Sequence, residues 1–155
     1  MTNTRIRLAQ PSDCAALARL RETLWPESSA EEHSRELVAI LGGDSLATLP
    51  LVIFVAEMRD RSLVGFVEVG LRSHADGCSP AHPVGYIEGW YVAEHHRQRG
   101  IGAKLLAAAE EWARSQGCSE MASDALISNE LSQCVHESLG FEVVDRCVHY
   151  RKRLG

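Results

Sequence analysis

The sequence predicts an α/β fold with a mixed central sheet and helices on both of its faces. Three observations support this prediction. The chain has 155 residues and is 45% hydrophobic, which suits one core and is too short for two ordinary domains. Runs typical of strands alternate with stretches of helical periodicity. One strand–helix–strand unit, over residues 84–123, requires a parallel strand pair. We therefore expect a single domain over residues 1–155.

The first half of the chain predicts one strand, two helices and a β-hairpin. Residues 5–9 alternate as a strand, and helical spacing follows over residues 14–24. Pro26 interrupts that helix, and residues 51–58 and 63–71 are typical of a hairpin. Two capping boxes are candidates for the start of the second helix: Ser28 with Glu31, and Ser29 with Glu32.

The second half predicts the parallel unit and the end of the sheet. Residues 84–92 are typical of a strand, residues 101–116 of an amphipathic helix, and residues 118–123 of the parallel strand. A short helix is expected over residues 129–139. Two further strands are predicted to close the sheet, over residues 141–145 and 147–152.

Composition excludes several classes of protein. The net charge of −5 disfavours nucleic acid or an anionic membrane as a partner. No apolar run approaches the roughly 20 residues that span a bilayer, and no leader-like segment begins the chain, so we expect a cytoplasmic protein. Adjacent His95 and His96 point apart in an extended loop and predict no metal site. The cysteines are scattered without C-x-x-C spacing, which predicts neither disulfides nor zinc: Cys14, Cys78, Cys118, Cys134 and Cys147.

Charge is unevenly distributed along the chain. Residues 22–44 contain six acids and one arginine, whereas residues 89–109 contain His95, His96, Arg97, Arg99 and Lys104 against one acid, Glu94. One region suits a cation and the other suits an anion, although two solvated surfaces would show the same pattern.

The basic region contains a candidate phosphate-binding loop between a strand and a helix. Free amides and the positive end of the helix dipole meet there, which favours an anion. Gly100 and Gly102 let a pyrophosphate approach the backbone, and Arg97 and Arg99 add charged donors. The loop has neither the Walker pattern nor the third glycine of the dinucleotide fingerprint.

This R-x-x-G-x-G loop and the order of elements around it resemble the GNAT superfamily of acetyl-CoA-dependent N-acetyltransferases. The resemblance implies acetyl-CoA as co-substrate, and it implies no metal. It implies that the strand residues Trp90, Tyr91 and Val92 bind pantetheine and the acetyl carbonyl through their backbone, while their side chains are equally well explained as core. Asn129 would contact the pantetheine arm. The pyrophosphate would be held by the loop amides of Gln98, Arg99, Gly100, Ile101, Gly102 and Ala103, with Arg97 beside them.

Two acids are candidates for the acceptor side and for catalysis. Glu88 lies inside the strand before the phosphate loop, on the same alternating face as Tyr86 and Trp90. Asp124 follows the parallel neighbouring strand. Because ligands collect at the carboxyl ends of parallel strands, both carboxylates are expected at one pocket. A surface or bulge position is the alternative for each.

Several short sequence segments make the resemblance more specific: they are similar to those of small dimeric aminoglycoside 6'-N-acetyltransferases. The resemblance implies that Glu88 and Asp124 anchor ammonium and hydroxyl groups, and that Trp25 forms an aromatic wall. A core plug beside Pro26 is the alternative for Trp25. The segments are Leu24-Trp25-Pro26, Glu88-Gly89, Arg97-Gln98-Arg99-Gly100, Glu120-Met121-Ala122-Ser123-Asp124, Leu139-Gly140-Phe141 and Tyr150-Arg151-Lys152-Arg153.

Four further positions follow from the same resemblance. Ser28, His74 and Asp145 are possible substrate contacts, although Asp145 is equally consistent with a strand cap. His136 stands where many GNAT enzymes carry a tyrosine that protonates the leaving thiolate. We favour a packed histidine, with solvent as the acid.

The predicted reaction is direct attack of the 6'-amine on acetyl-CoA in a ternary complex, by a homodimeric enzyme that confers resistance. Two alternatives remain at this point: a GNAT enzyme for another cationic amine, such as a polyamine or a protein amine, and a non-catalytic acetyl-CoA-binding module.

Overall fold

The computed structural model describes residues 3–43 and 49–155, so Asp44 of the acidic region lies outside the described residues. Within the described residues none of the helices combines the length and the apolar character that a bilayer span requires. The strands and α-helices are, in chain order, β1 (Arg5–Leu8), α1 (Cys14–Leu24), α2 (Ala30–Leu41), β2 (Leu51–Glu57), β3 (Leu63–Arg72), β4 (Val84–Val92), α3 (Ile101–Ser115), β5 (Met121–Ser123) and α4 (Glu130–Ser138).

The strands form one mixed sheet in the order β1–β2–β3–β4–β5. The first four are antiparallel to their neighbours, and β4 and β5 are parallel because α3 connects them. Helix α3 covers one face, where Leu105 and Ala109 pack with Val67. Helices α1 and α2 cover the other face through Leu17 and Leu37. The predicted fold class is confirmed.

The start of α2 decides between the two capping boxes. Ser29 Oγ accepts a hydrogen bond from the Glu32 backbone N–H at 3.2 Å. The Glu32 carboxylate accepts one from the Ser29 N–H at 2.8 Å. The second pair therefore satisfies two backbone amides at this helix end, and Ser28 lines a cleft instead.

A bulge in β4 changes which way its side chains point. Glu68 of β3 pairs with Gly89, and the next residue, Val69, pairs with Ile87. Glu88 is therefore an extra residue, and the alternation shifts by one beyond it. Trp90 packs with the α3 core, whereas Glu88 faces the opposite side, so the prediction that Glu88 and Trp90 share a face is wrong. Glu88 and Tyr86 are both in contact with Arg72.

The two closing strands are also predicted wrongly. Residues 141–145 and 147–152 form no strand in the described chain. Val148 and Tyr150 are 74% and 92% exposed. A pattern rich in β-branched residues indicates a tendency to form a strand, but a strand also needs a neighbouring edge to pair its backbone groups.

Candidate active site

An open cleft of about 650 Å³ lies on the sheet face that α1 and α2 cover. Trp25 and Ser28, both predicted substrate contacts, line it from the connection between these helices. Its acidic and arginine lining residues are Arg21, Glu27, Glu36, Glu68, Arg72 and Glu88, and His33 lies among them. Carboxylates outnumber cations, so the cleft suits a cationic ligand.

Arg21 organises the floor of the cleft. Its Nε lies 2.8 Å from Glu68 Oε1, and its Nη1 lies 3.2 Å from Glu36 Oε2. Its guanidinium carbon lies 5.1 Å from the centre of the Trp25 ring. The opposite end of that ring abuts Gly89, where a Cβ atom would collide with it. Trp25 is thus held between an arginine and the sheet.

His33 holds the same tryptophan from α2. Its Nε2 lies 3.2 Å from the Trp25 carbonyl oxygen, so this nitrogen donates the hydrogen bond. The His33 side chain is buried. Trp25 therefore packs against the core and also lines the cleft. Its contact with a substrate stays a prediction.

Burial raises the pKa of Glu68 to about 7, and the nearby carboxylates of Glu36 and Glu88 act in the same direction while Arg21 opposes them. Desolvation penalises the charged form of a carboxyl group, which explains the direction. Glu68 was missed from the sequence. The signal was a single charge inside an apolar strand, a position that charged residues occupy only with a partner.

Glu88 lines the cleft, whereas Asp124 is not part of its lining. Two other side chains connect these acids. Arg72 Nε and Nη2 donate to the two Glu88 oxygens at 3.0 and 2.9 Å. The Arg72 guanidinium carbon lies 3.4 Å from the centre of the Tyr86 ring. The Tyr86 hydroxyl donates to Asp124 Oδ2 at 2.7 Å. Burial, followed by this hydrogen bond, raises the pKa of Tyr86 well above its usual range, so the phenol keeps its proton.

Two predicted substrate contacts lie away from this cleft. His74 is exposed and lies 3.6 Å from Asp76. Asp145 is exposed in the C-terminal segment, where its carboxylate accepts from the Arg146 N–H. Neither side chain is part of the cleft lining.

The phosphate loop has the geometry of an anion site. Gly100 is the N-cap of α3 and has φ of +76°, and no side chain caps this end of the helix. The first amides of α3, from Ile101 to Ala103, therefore have no intrahelical partner. Arg97 Nε donates to the Val92 carbonyl at 2.8 Å, which ties its guanidinium to the end of β4.

The sheet opens beside this loop. Pairing of β4 with β5 covers only Gly85, Tyr86 and Ile87. The β5-facing edge of residues 88–92 is thus unpaired in the described structure. The side chains here belong to the core, since Trp90 Nε1 donates to the Gly102 carbonyl and Tyr91 packs near Phe66. The backbone edge, rather than these side chains, is available to a ligand.

His136 is a packed residue. Its ring lies edge-on to Trp90 and Phe141. Its Nδ1 lies 2.7 Å from the Ser132 carbonyl, so Nδ1 carries the proton. Its Nε2 lies 2.8 Å from the Ser123 hydroxyl. Both ring nitrogens of His136 therefore have partners within the protein.

Asn129 caps α4, where its Oδ1 accepts from the Ser132 N–H at 3.1 Å. All five cysteines fall within the described residues, and none is part of the cleft lining. Burial raises the pKa of Cys118 and Cys78, so these two stay thiols. Over the described ranges, no group of three or more His, Cys, Asp and Glu side chains is arranged to hold a metal ion.

Comparison with known proteins assigns this geometry to a family. A sequence model of the acetyltransferase (GNAT) family matches residues 15–141. The chain belongs to this family. Its GNAT relatives include a protein from Serratia marcescens named aminoglycoside N(6')-acetyltransferase type 1, which is 44% identical over 137 residues, 88% of this chain and 90% of the relative. A relative of the same name from Stenotrophomonas maltophilia is 40% identical over 96% and 93% of the two chains.

Solved GNAT structures agree with these relatives. The structure of AAC(6')-Iy in complex with the bisubstrate analogue CoA-S-monomethyl-acetylneamine has a TM-score of 0.85 and 36% identity, covering 97% of this chain and 99% of that one. AAC(6')-Ih from Acinetobacter baumannii, described as an aminoglycoside antibiotic 6'-N-acetyltransferase, has a TM-score of 0.85 and 26% identity, covering 98% and 99%.

Proposed function

We propose that this GNAT enzyme transfers the acetyl group of acetyl-CoA to the 6'-amine of aminoglycoside antibiotics and thereby confers resistance. The observation that carries the proposal is the acidic cleft: its lining residue Glu88 is connected through Arg72 and Tyr86 to Asp124, which lies outside the lining beside the open β4–β5 edge. A polycation fits this cleft by charge, and the relatives at 35–44% identity carry the corresponding name.

The co-substrate half of the site consists of the α3 N-terminus and the open edge of β4. The amides of residues 98–103 would bind the pyrophosphate, with Arg97 and Arg99 nearby. The backbone of residues 90–92 would pair with pantetheine and with the acetyl carbonyl, whose developing negative charge needs N–H donors. Asn129, at the start of α4, would reach the pantetheine arm.

The acceptor half holds the amine and accepts its proton. Trp25 would form one wall for a sugar ring, and Ser28 would offer a hydroxyl contact. In the reaction the amine nitrogen attacks the thioester carbon, the carbon–sulfur bond breaks and CoA leaves as a thiolate. The amine proton leaves through Glu88, Asp124 or a water that they order. His74 and Asp145 remain predicted contacts.

Transfer is direct, in a ternary complex, without an acetylated enzyme. The absence of cysteine from the described cleft lining supports this. His136 uses both ring nitrogens internally, which supports solvent as the source of the thiolate proton.

We also infer that two copies of the chain form a homodimer. The exposed C-terminal segment, with its strand-like pattern, and the outer edge of β5 support an exchange of strands between copies. We further infer that residues 1–155 of each copy form one domain. The acidic net charge supports the absence of nucleic-acid and membrane partners, and a charged CoA thioester as co-substrate supports a cytoplasmic location.

Substitution of the two acids tests the proposal. Glu88→Gln and Asp124→Asn are expected to lower kcat/KM for tobramycin by roughly 10²-fold, the range for loss of an acid–base group. The affinity for CoA should stay within about two-fold, because the co-substrate half is separate. Glu111→Gln, at a side chain that is 80% exposed on α3, is the control. A variant that loses CoA affinity alone would contradict the assignment.

A further inference from the structure

Arg72 occupies the position in which a cationic acceptor would meet Glu88. Its guanidinium donates to both Glu88 oxygens, so an ammonium group that binds this carboxylate has to share or displace it. It also covers the ring of Tyr86 at 3.4 Å. A carboxylate beside an aromatic face is a general binding site for an ammonium group.

We propose that Arg72 is a placeholder cation: it occupies an ammonium subsite formed by the Glu88 carboxylate and the Tyr86 ring, and the acceptor's ammonium group replaces it. This inference rests on the proposed function and deepens it. It adds the Tyr86 ring and Arg72 to the residues that determine acceptor affinity.

The two arginines of the described cleft lining differ in how much of their side chains is exposed to solvent. The Arg21 side chain is 7% exposed and lies against Glu68 and Glu36. The Arg72 side chain is 44% exposed, and its partner Glu88 is 35% exposed. Ion pairs at such exposure are weak and screened, so an incoming cation displaces Arg72 at little cost.

The position of Arg72 in the chain allows this movement. It is the last residue of β3, and its Cα is paired with Val84 at the start of β4. The paired backbone can stay in place while the long side chain swings out toward the loop of residues 73–83. Tyr86, which is 8% exposed with Arg72 over it, would then present its ring to the cleft.

Arg72→Met tests the proposal, since methionine keeps the length of the chain and removes the charge. We expect its KM for tobramycin to fall by about two- to five-fold, the worth of one exposed ion pair, with kcat unchanged. Arg114→Met is the control, because Arg114 lies on α3 with Glu110 and Glu111, and its KM should equal that of the wild type.

Two further variants make the test specific. In a Glu88→Gln background the gain from Arg72→Met should disappear, since the competition for Glu88 no longer exists. Tyr86→Leu should raise the Kd for tobramycin, measured by calorimetry on protein whose cooperative unfolding is intact, whereas Tyr86→Phe keeps the ring face and should bind more tightly than Tyr86→Leu.

The outcomes separate this inference from the proposed function. An Arg72→Met enzyme with a higher KM, a lower kcat or kinetics identical to the wild type would overturn the placeholder role while leaving the acetyltransferase activity in place. A wild-type enzyme without turnover on tobramycin would overturn the proposed function and this inference together.

Discussion

Glu68 is a carboxyl group in the middle of a buried strand, and its surroundings make the stability of the protein depend on pH. Its pKa rises from an ordinary value of 4.5 to about 7, mainly through burial. A raised folded-state pKa stabilises the folded state below the unfolded pKa, and this contribution is lost as pH rises through the folded pKa.

Glu68→Gln, which mimics the protonated group, should therefore remove this pH dependence. Relative to the variant, the wild type should lose on the order of 3 kcal/mol of unfolding free energy between about pH 4.5 and about pH 8. Urea denaturation at both pH values measures the difference. Glu111→Gln should behave as the wild type at each pH, and a pH-independent gap between wild type and Glu68→Gln would refute the titration of Glu68.

Single residues were predictable from the sequence where a charge lies inside an expected strand or directly follows one. Glu88 and Asp124 were found in this way, and the structure connects them through Arg72 and Tyr86. These intermediaries were missed because Arg72 ends a strand beside a polar loop and is ordinary there by type.

Among the secondary-structure elements, α3 has an N-terminus whose free amides depend on Gly100, a residue in the left-handed region. Gly100→Ala should cost about 1 kcal/mol of stability, because a side chain is strained at positive φ. It should also weaken CoA binding several-fold, because the amides of the following turn would be redirected.

Gly117 offers a matched control at the other end of the same helix. It has φ of +86° and, like Gly100, open space at its Cβ position. Gly117→Ala should lose similar stability and keep its CoA affinity. Thermal unfolding and CoA titration of both variants check this, and equal CoA affinities would contradict the loop assignment.

Local signals predicted most elements well, because capping and apolar spacing act within a few residues. The start of α3 at Ile101 and the hairpin of β2 and β3 follow from such signals, which also narrowed the N-cap of α2 to Ser28 or Ser29. The bulge and the absence of the two closing strands could not be predicted from local signals, because each depends on the strand with which a segment pairs.

For the whole molecule, Glu27 and Glu36 of the acidic region line the cleft, and the basic region contains the loop that precedes α3. The exposed C-terminal segment supports our inference that a second copy of the chain packs against it. We expect the wild type to be a dimer by light scattering and the Val148→Glu/Tyr150→Glu variant to be a monomer. Val38→Glu, at a residue 65% exposed on α2, should remain dimeric. A monomeric wild type would contradict the dimer.

The most direct test of the account is CoA release from acetyl-CoA by the purified protein with different acceptors. We predict turnover with tobramycin and kanamycin, which carry a 6'-amine, and none with paromomycin, which carries a hydroxyl there. Turnover with spermidine alone would leave the fold and assign another amine. No turnover with any of these acceptors would contradict aminoglycoside acetylation and favour a protein acceptor or an acetyl-CoA-binding module.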